Sequence, residues 1–560
     1  MLSKSIDLTL LQSSLHSITE QMAHALLYSA RSLNLSEARD FCTGLYGVQG
    51  EIMEQTEYIP LLAYTVPSSI KNIVEFFGED IYPGDIFIHN DPFTGGNQVS
   101  DFKIAKPIFL EEKLIAWAAI NAHQADSGGS VSGGYNPHAR EIWQEALRIP
   151  PVKLYEKGRK RKDVWRLIFS NIRYSIVEDD IMAMIGGCTI GERELMKLIH
   201  KHGFESFRKD LEMLYNQTEK MMREEILQIK NGVYQGESLA FNDGVDPDKT
   251  MPIKVTITVQ EDEIVFDFTG TAEQTPGYVN APYPVALSGV LSTLLMCLKY
   301  PDMPHNEGML RPVRVIIPEG SILNPKFPAA TGFGNHLVDQ IGEAIMQALL
   351  PALPQRVTAG WNHMLCVLFS GYDSRKKNPF AHMLINACKG GGGATFGADG
   401  YNHIGFIGGG GGIAAQDPEM FELEAPVHFH KFEYAPDSCG SGQWRGGLGV
   451  ETQVEFLEDV ELSIFGDGLP QQNSAPGVLG GRPGAPNSAK IIYPNGEVYY
   501  PKAKEHIPFL PKGTRWHQLA GGGGGFGNPL DRDPAKIEED LQEGYITLAK
   551  AIKDYGWDEQ

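Results

Sequence analysis

Closely spaced cysteines are missing from this chain. Its six cysteines, Cys42, Cys188, Cys297, Cys366, Cys388 and Cys439, lie scattered along 560 residues with no CxxC pair among them. That spacing argues against a zinc ribbon and against a disulfide-dense secreted scaffold. Buried, reduced thiols are the expectation for all six. Long apolar runs are missing as well. None reaches the ~18 residues of a membrane span, and Met1 to Asp7 lack the basic and then apolar sections of a secretory signal. A cytoplasmic protein is expected, with no membrane partner. Basic charge is scarce: 48 lysines and arginines face 70 aspartates and glutamates, a formal net charge of −22. A phosphate-backbone binder needs a basic face. The strongest basic run, Lys157 to Lys162, is short and reads as a solvated surface tract, so nucleic acid is disfavoured as a partner.

Nucleotide-binding motifs are also lacking. The nearest approach to a phosphate loop, Gly186 to Gly191, is followed by Glu192 and Arg193 where a lysine and a hydroxyl residue are needed. Gly440-Ser441-Gly442 fails as a dinucleotide fingerprint because the third glycine, Gly446, comes one residue late. Neither HExxH nor GxSxG occurs.

Glycine, by contrast, is plentiful. The 62 glycines amount to about 11% where about 7% is usual. Three tracts stand out: Gly390–Gly393, Gly408–Gly412 and Gly521–Gly525. They read either as exposed backbone that approaches a ligand or partner, or as tight loops between packed strands. Leu15, Ile18, Met22 and Leu26 step by three and four and predict an amphipathic helix. Ile108–Leu110 and Leu114–Trp117 flank Glu111-Glu112-Lys113 as a hairpin. Helix returns over 204–231, and Gly232 with Gly244 to Pro247 marks a boundary. Val255, Ile257 and Val259 alternate against Ile264, Phe266 and Phe268 as a second hairpin, with helices near 284–299 and 337–350. Further on, Val454 and Phe456 pair with Leu462 and Ile464, and 491–500 folds back at Asn495-Gly496. One last helix, capped by Asp533-Pro534, carries Ile537, Leu541, Tyr545, Leu548 and Ile552 on one face. The sum is a mixed α/β (α+β), multidomain chain. Residues 1–245 form an N-terminal region of helices and sheet with the candidate site, 246–430 a middle α/β domain, and 431–560 a β-rich C-terminal domain with a terminal helix.

Polar groups concentrate in one otherwise apolar region, Gly84 to Asp101, and again at Asn121 to Gly129. Asp101 and His123 close the two far ends of the first hairpin, and antiparallel pairing brings such ends together. A carboxylate beside an imidazole suits Zn²⁺, Mn²⁺ or Fe²⁺, or simply braces a loop. Asn90 and Asp91 are expected to fix the Pro92 turn. Asp126 either orients the His123 ring or braces its own loop. Arg445 is expected to stabilise its glycine-rich turn, and His428 and His430 to be core or interface histidines.

These residues are similar to the hydantoinase B/oxoprolinase family, the partner subunits of ATP-dependent hydantoin, oxoproline and lactam hydrolases; acetone and acetophenone carboxylases are relatives. The resemblance runs through Glu37 to Phe41, Gly84-Asp85 with Asn90 to Gly96, His123 to Gly129, Pro150 to Leu154, Asn306-Glu307-Gly308 with Arg311-Pro312, Asn324-Pro325, Pro436-Asp437-Ser438 with Arg445 to Gly449, and Gly521 to Pro529.

The resemblance implies a metal held by an aspartate after the first helix, by the histidine and aspartate of one HxxD, and by the first residue of a later HxxD. Position by position these are Asp40, Gln98, Asp101 and His123, with Asp101, His123 and Asp126 as catalytic residues. Gln98 stands where the family has histidine, and the usual His-His pair reads His123-Gln124. A glutamine oxygen is a weaker, harder ligand than imidazole. The outcomes are a weaker site for Zn, a shift toward Mn or Mg, or no metal. The resemblance further implies an A-type partner subunit that binds ATP, a heterotetramer of two copies each, and ring opening of a cyclic amide. Ketone carboxylation and a non-catalytic scaffold role are the alternatives. The isolated chain is therefore expected neither to hydrolyse ATP nor to bind it tightly. Calorimetry on the partner-free subunit checks this, and saturable ATP binding would contradict it.

Overall fold

The computed structural model describes residues 2–299, 303–469 and 473–558, with side chains from residue 8 onward. Helices and sheets are mixed throughout, as the sequence predicts. No helix among the described residues is long and apolar enough to cross a membrane.

The chain divides into two compact units. The first takes residues 1–134, 139–235 and 254–338; the second takes 135–138, 236–253 and 339–560. Both units are interleaved along the chain, and the reason is visible within each unit. In the first, His305 bonds Glu57 at 3.0 Å and Glu307 accepts from the Ile52 N–H, so 254–338 folds back onto the N-terminal part. In the second, Leu365–Asp373 pairs antiparallel with Val460–Gly466, which ties the expected middle and C-terminal segments into one sheet.

A seven-stranded antiparallel sheet organises the first unit. Its strands are β1 (Phe41–Tyr46), β2 (Ile52–Glu57), β3 (Ile86–His89), β4 (Asp101–Leu110), β5 (Lys113–His123), β6 (Val152–Glu156) and β7 (Arg159–Lys160), in the order β2-β1-β5-β4-β3-β6-β7. The β4–β5 hairpin falls where the sequence puts it, and Glu111 takes the left-handed conformation its turn requires (φ 56°). Leu15, Ile18, Met22 and Leu26 of the helix Leu2–Ser29 are buried in the core of this unit. Against them lies a second long helix, Ile176–His202, which contains the whole Gly186–Gly191 stretch. The near-match to a phosphate loop is thus helical. Its glycines have a packing role: a methyl at Gly187 would press on Ile120 and Met22, and one at Gly191 on Met22 and Ala118. The predicted helix over 204–231 spans Phe204–Ile226. The second predicted hairpin also forms, with Val259 opposite Ile264 and Ile257 opposite Phe266.

The second unit holds a four-stranded and a five-stranded sheet. Val450–Phe456 belongs to the five-stranded sheet and Val460–Gly466 to the four-stranded one, so these runs do not pair with each other as expected. The Asn495-Gly496 turn does form, with Ile491 opposite Tyr499. The single terminal helix becomes two, Pro534–Gln542 and Leu548–Tyr555. Gly544 breaks it with φ 71°, and the Thr547 side chain caps the second piece by accepting from the Lys550 N–H.

Of the two readings of the glycine tracts, close packing is the one that holds for Gly390–Gly393 and Gly521–Gly525, which are buried. Extended segments cross-bond through their backbones: Gly391 N–H to Gly521 C=O, Gly447 to Gly392, Gly523 to Gly447, Gly440 to Gly523, and Gly524 to Gly360, all at 2.8–3.0 Å. In this packing a methyl on Gly523 would collide with the Gly392 carbonyl, and one on Gly391 with the Gly447 carbonyl. Only the middle of the third tract, at Gly410 and Gly411, reaches solvent. Arg445 is buried beside this lattice, paired with Asp540 at 2.8 Å, in the turn-stabilising part expected of it. His428 and His430 lie on the surface, each with a carboxylate: Glu422 at 3.1 Å and Glu455 at 2.8 Å. Gly523→Ala is expected to cost more than about 3 kcal/mol, since backbone cannot yield as a side chain can. Gly186→Ala, in open space on an exposed helix face, is expected to stabilise by roughly 1 kcal/mol. Thermal melts of the two variants check both signs.

Candidate active site at the end of the β4–β5 hairpin

Side chains on a strand alternate between faces, so residues two apart share one. On β4 this puts Asp101 and Lys103 together, and on β5 Asn121 and His123. The register sets Asp101 opposite His123 and Lys103 opposite Asn121. The row continues across the sheet, with His89 of β3 opposite Lys103 and Cys42 of β1 opposite Asn121. A polar ladder therefore crosses a sheet whose other positions are mostly apolar.

The four expected ligands gather at one end of this ladder. Asp40 immediately precedes β1, and its carbonyl accepts the His123 backbone N–H at 3.1 Å. The turn from Gln98 to Asp101 closes with Asp101 N–H donating to the Gln98 carbonyl at 3.1 Å. Between side chains, His123 Nδ1 and Asp101 Oδ1 stand 2.7 Å apart. Gln98, Asp101 and His123 are buried, while Asp40 is partly open to solvent. Burial opposes charge on both members of the pair, but each supports the other. Asp101 is held below the usual carboxylate value by His123, Lys103 and Asn335, and His123 is held above its usual value by Asp101 and Asp40. Burial pushes Asp40 up to about 6, with His123 pulling the other way.

Three residues of this cluster escape sequence reasoning. Asn335 donates through Nδ2 to Gln98 Oε1 at 2.6 Å and to Asp101 Oδ2 at 2.8 Å. Asn97 donates to the same Asp101 oxygen and accepts from the buried Lys103 ammonium, whose pKa burial pulls down to about 8. Period-two reading from Asp101 could have flagged Lys103. Nothing local points to Asn335, more than two hundred residues away in sequence.

Gln98 is held at both ends, since its Nε2 donates to the Gly332 carbonyl at 2.8 Å. The Thr331–Gly332 turn is in turn fixed by the buried Glu145 carboxylate, which accepts the Thr331 and Gly332 N–H groups at 2.7 and 2.6 Å. Asp126 braces the loop after β5: its oxygens take the Gly133 N–H and the backbone and guanidinium of Arg173. Gln124 turns toward Ala122 and Met184. Asn90 and Asp91 do fix the Pro92 turn, Asn90 through Ile149, Val99 and Leu147, and Asp91 by accepting the Phe93 N–H.

Carboxylates, an imidazole and an amide oxygen are donor types that suit a divalent cation, but among the described residues no group of three or more His, Cys, Asp or Glu is arranged to hold one. In this arrangement the oxygens of Asp101 and Gln98 are engaged by His123, Asn97 and Asn335, so a cation would compete with those bonds.

Residues 4–529 match the model of the hydantoinase B/oxoprolinase family, and the chain belongs to that family. It is 30% identical to caprolactamase subunit beta of Pseudomonas jessenii, over 98% of its own length and 95% of that protein's. The crystal structure of the ATP-dependent caprolactamase from the same organism superposes with a TM-score of 0.92, at 29% identity, covering 99% of this chain and 96% of the other. It is also 27% identical to 5-oxoprolinase 1 of Arabidopsis thaliana, over 92% of this chain but 41% of that longer protein.

Burial pushes Glu145 up to about 8. The folded state then holds a proton that the unfolded chain releases above its ordinary carboxylate pKa. Stability is expected to fall as pH rises from that value toward 8, by at most about 1.4 kcal/mol per unit. Glu145→Gln keeps an oxygen for both N–H donors and should flatten this slope in denaturant titrations at several pH values.

Proposed function

We propose that the chain is the B-type subunit of an ATP-dependent cyclic-amide hydrolase. It would open a hydantoin, oxoproline or lactam ring together with an A-type subunit that binds ATP. The observation that carries the reading is the buried Asp101–His123 pair at 2.7 Å, in a chain that matches caprolactamase subunit beta along nearly its whole length. The partner is supported by the chain's lack of a phosphate loop or dinucleotide fingerprint of its own; the chain spans 41% of the longer 5-oxoprolinase 1. A heterotetramer with two copies of each subunit is the proposed assembly. The chain's six buried cysteines fit a reducing cytoplasm.

The chemistry rests on the ladder. An amide resists attack by water because resonance keeps its carbonyl carbon electron-rich, and ATP-dependent activation of the oxygen removes that protection. Asp101 fixes the orientation of the His123 ring and stabilises its charged form, so His123 can hold a proton at the ring during attack and departure. Asn335 and Asn97 hold Asp101 in place, and Lys103 adds a fixed positive charge beside it. Asp40, Gln98, Asp101 and His123 are the residues that would hold a divalent cation, which when bound supplies Lewis acidity and lowers the pKa of water.

The test is co-purification with an A-type subunit and assay of ADP release and ring opening on ε-caprolactam, hydantoin and 5-oxoproline. His123→Ala is expected to lower kcat at least about 100-fold while the assembly with the A-type subunit still forms. ADP release that instead requires a ketone and bicarbonate would replace hydrolysis with carboxylation, and full turnover by His123→Ala would leave a scaffold role. Elemental analysis addresses the cation: His123→Ala should lose metal and Gln98→His should gain zinc. Less than about a tenth of a metal per chain, with full activity after chelation, would remove the metal from the proposal.

A further inference from the structure

Within the second unit lies a cleft of about 400 Å³, a volume in the range of small-molecule sites. One wall is apolar, made by Leu239, Phe241, Met346 and Leu350. Opposite them His363, Glu343 and Ser238 supply polar groups. His363 is only 3% exposed, and its Nε2 stands 2.7 Å from Glu343 Oε1. Glu343 also accepts from the Ser238 hydroxyl at 2.9 Å. Burial works against charge on His363, but Glu343, Asp467 and Asp339 outweigh it and push the ring up to about 10. Both ring nitrogens of an imidazolium are donors. Nε2 is satisfied; Nδ1 is buried with no hydrogen-bond partner.

A buried donor without an acceptor is unfavourable, and such groups normally find one in protein, water or ligand. Here the donor belongs to a ring that lines a cleft with an apolar wall. Charge narrows what could fit. Among the described residues no lysine or arginine lines the cleft, while Glu237 and Glu343 do, so an anion meets repulsion. The imidazolium in turn repels a cation at the acceptor position.

We propose that this cleft is a binding site for an uncharged small molecule with an apolar body and one carbonyl acceptor, the carbonyl taking the His363 Nδ1–H. The site is separate from the Asp101–His123 ladder and independent of ring opening, because its lining residues all belong to the second unit.

Benzamide is a suitable probe: a flat apolar ring with one carboxamide, and no cyclic amide for the first unit to act upon. Calorimetry on the full chain is expected to show saturable binding with a Kd on the order of 1 mM or tighter, and weaker binding of benzoate and benzylamine. His363→Gln should weaken benzamide binding at least tenfold. Since that change disturbs a buried ion pair, Leu239→Trp provides the second variant. Leu239 is 40% exposed, so the larger ring fills the cleft without entering the polar cluster, and binding should again fall at least tenfold at an unchanged melting temperature. No saturable binding, equal affinity in Leu239→Trp, or tighter binding of benzoate or benzylamine would overturn the proposal.

Discussion

The candidate site depends on the register of one hairpin. Asp101 and His123 meet because β4 and β5 pair from a turn at Glu111-Glu112 all the way to their far ends. A slip of one residue would send every side chain to the other face of its strand. Asp101, Lys103, Asn121 and His123 would then leave the site together, and the apolar residues between them would lose the core. Hydrophobic burial along the hairpin therefore enforces the alignment of the polar ladder, and the chemistry borrows its positional accuracy from the packing beneath it.

A buried ionic pair alone is poor value for stability, because desolvation offsets most of the attraction. What sustains this one is the completeness of its surroundings. Asp101 receives His123, Asn97 and Asn335, and Asn97 also accepts from the Lys103 ammonium. The outer part of the arrangement comes from a different stretch of chain, where Glu145 holds the turn that presents Gly332 and Asn335. The site is thus assembled between a hairpin that is rigid by pairing and a loop that is rigid by a carboxylate. Within such a network Gln98 joins the two parts, since its amide accepts from Asn335 and donates to the Gly332 carbonyl.

The local parts of this architecture were legible in the sequence. The first hairpin showed short apolar runs flanking turn residues and the second showed alternation, and Asp101 and His123 were recognisable as strand ends that antiparallel pairing brings together. Asn335 and Glu145 were not, because sequence patterns report neighbours along the chain, whereas Asn335 arrives by the folding back of 254–338 and Glu145 acts by bonding that returning segment. The two interleaved units are hidden for the same reason. The last helix failed on a smaller point: Ile537 to Ile552 keep helical spacing, yet Gly544 and the capping Thr547 restart the helix midway. Asp126 illustrates a third limit. Its nearness to His123 in sequence suggested a shared role, but its oxygens go to Arg173 and Gly133.

The cross-bonded glycine segments have a kinetic side. Their partners are remote in the chain, with Gly391 bonded to Gly521 and Gly360 to Gly524, so these two contacts close loops of well over a hundred residues. Glycine also surrenders more backbone freedom on ordering than any other residue. Neither local preference nor side-chain burial can hold such segments in place ahead of their neighbours. They can assemble only after both sheets of the second unit have brought the segments side by side, which makes this lattice a late event in folding and ties the rate of the whole unit to long-range closure. During synthesis, the second unit cannot complete its interior until the ribosome has passed Gly525, close to the end of the described chain.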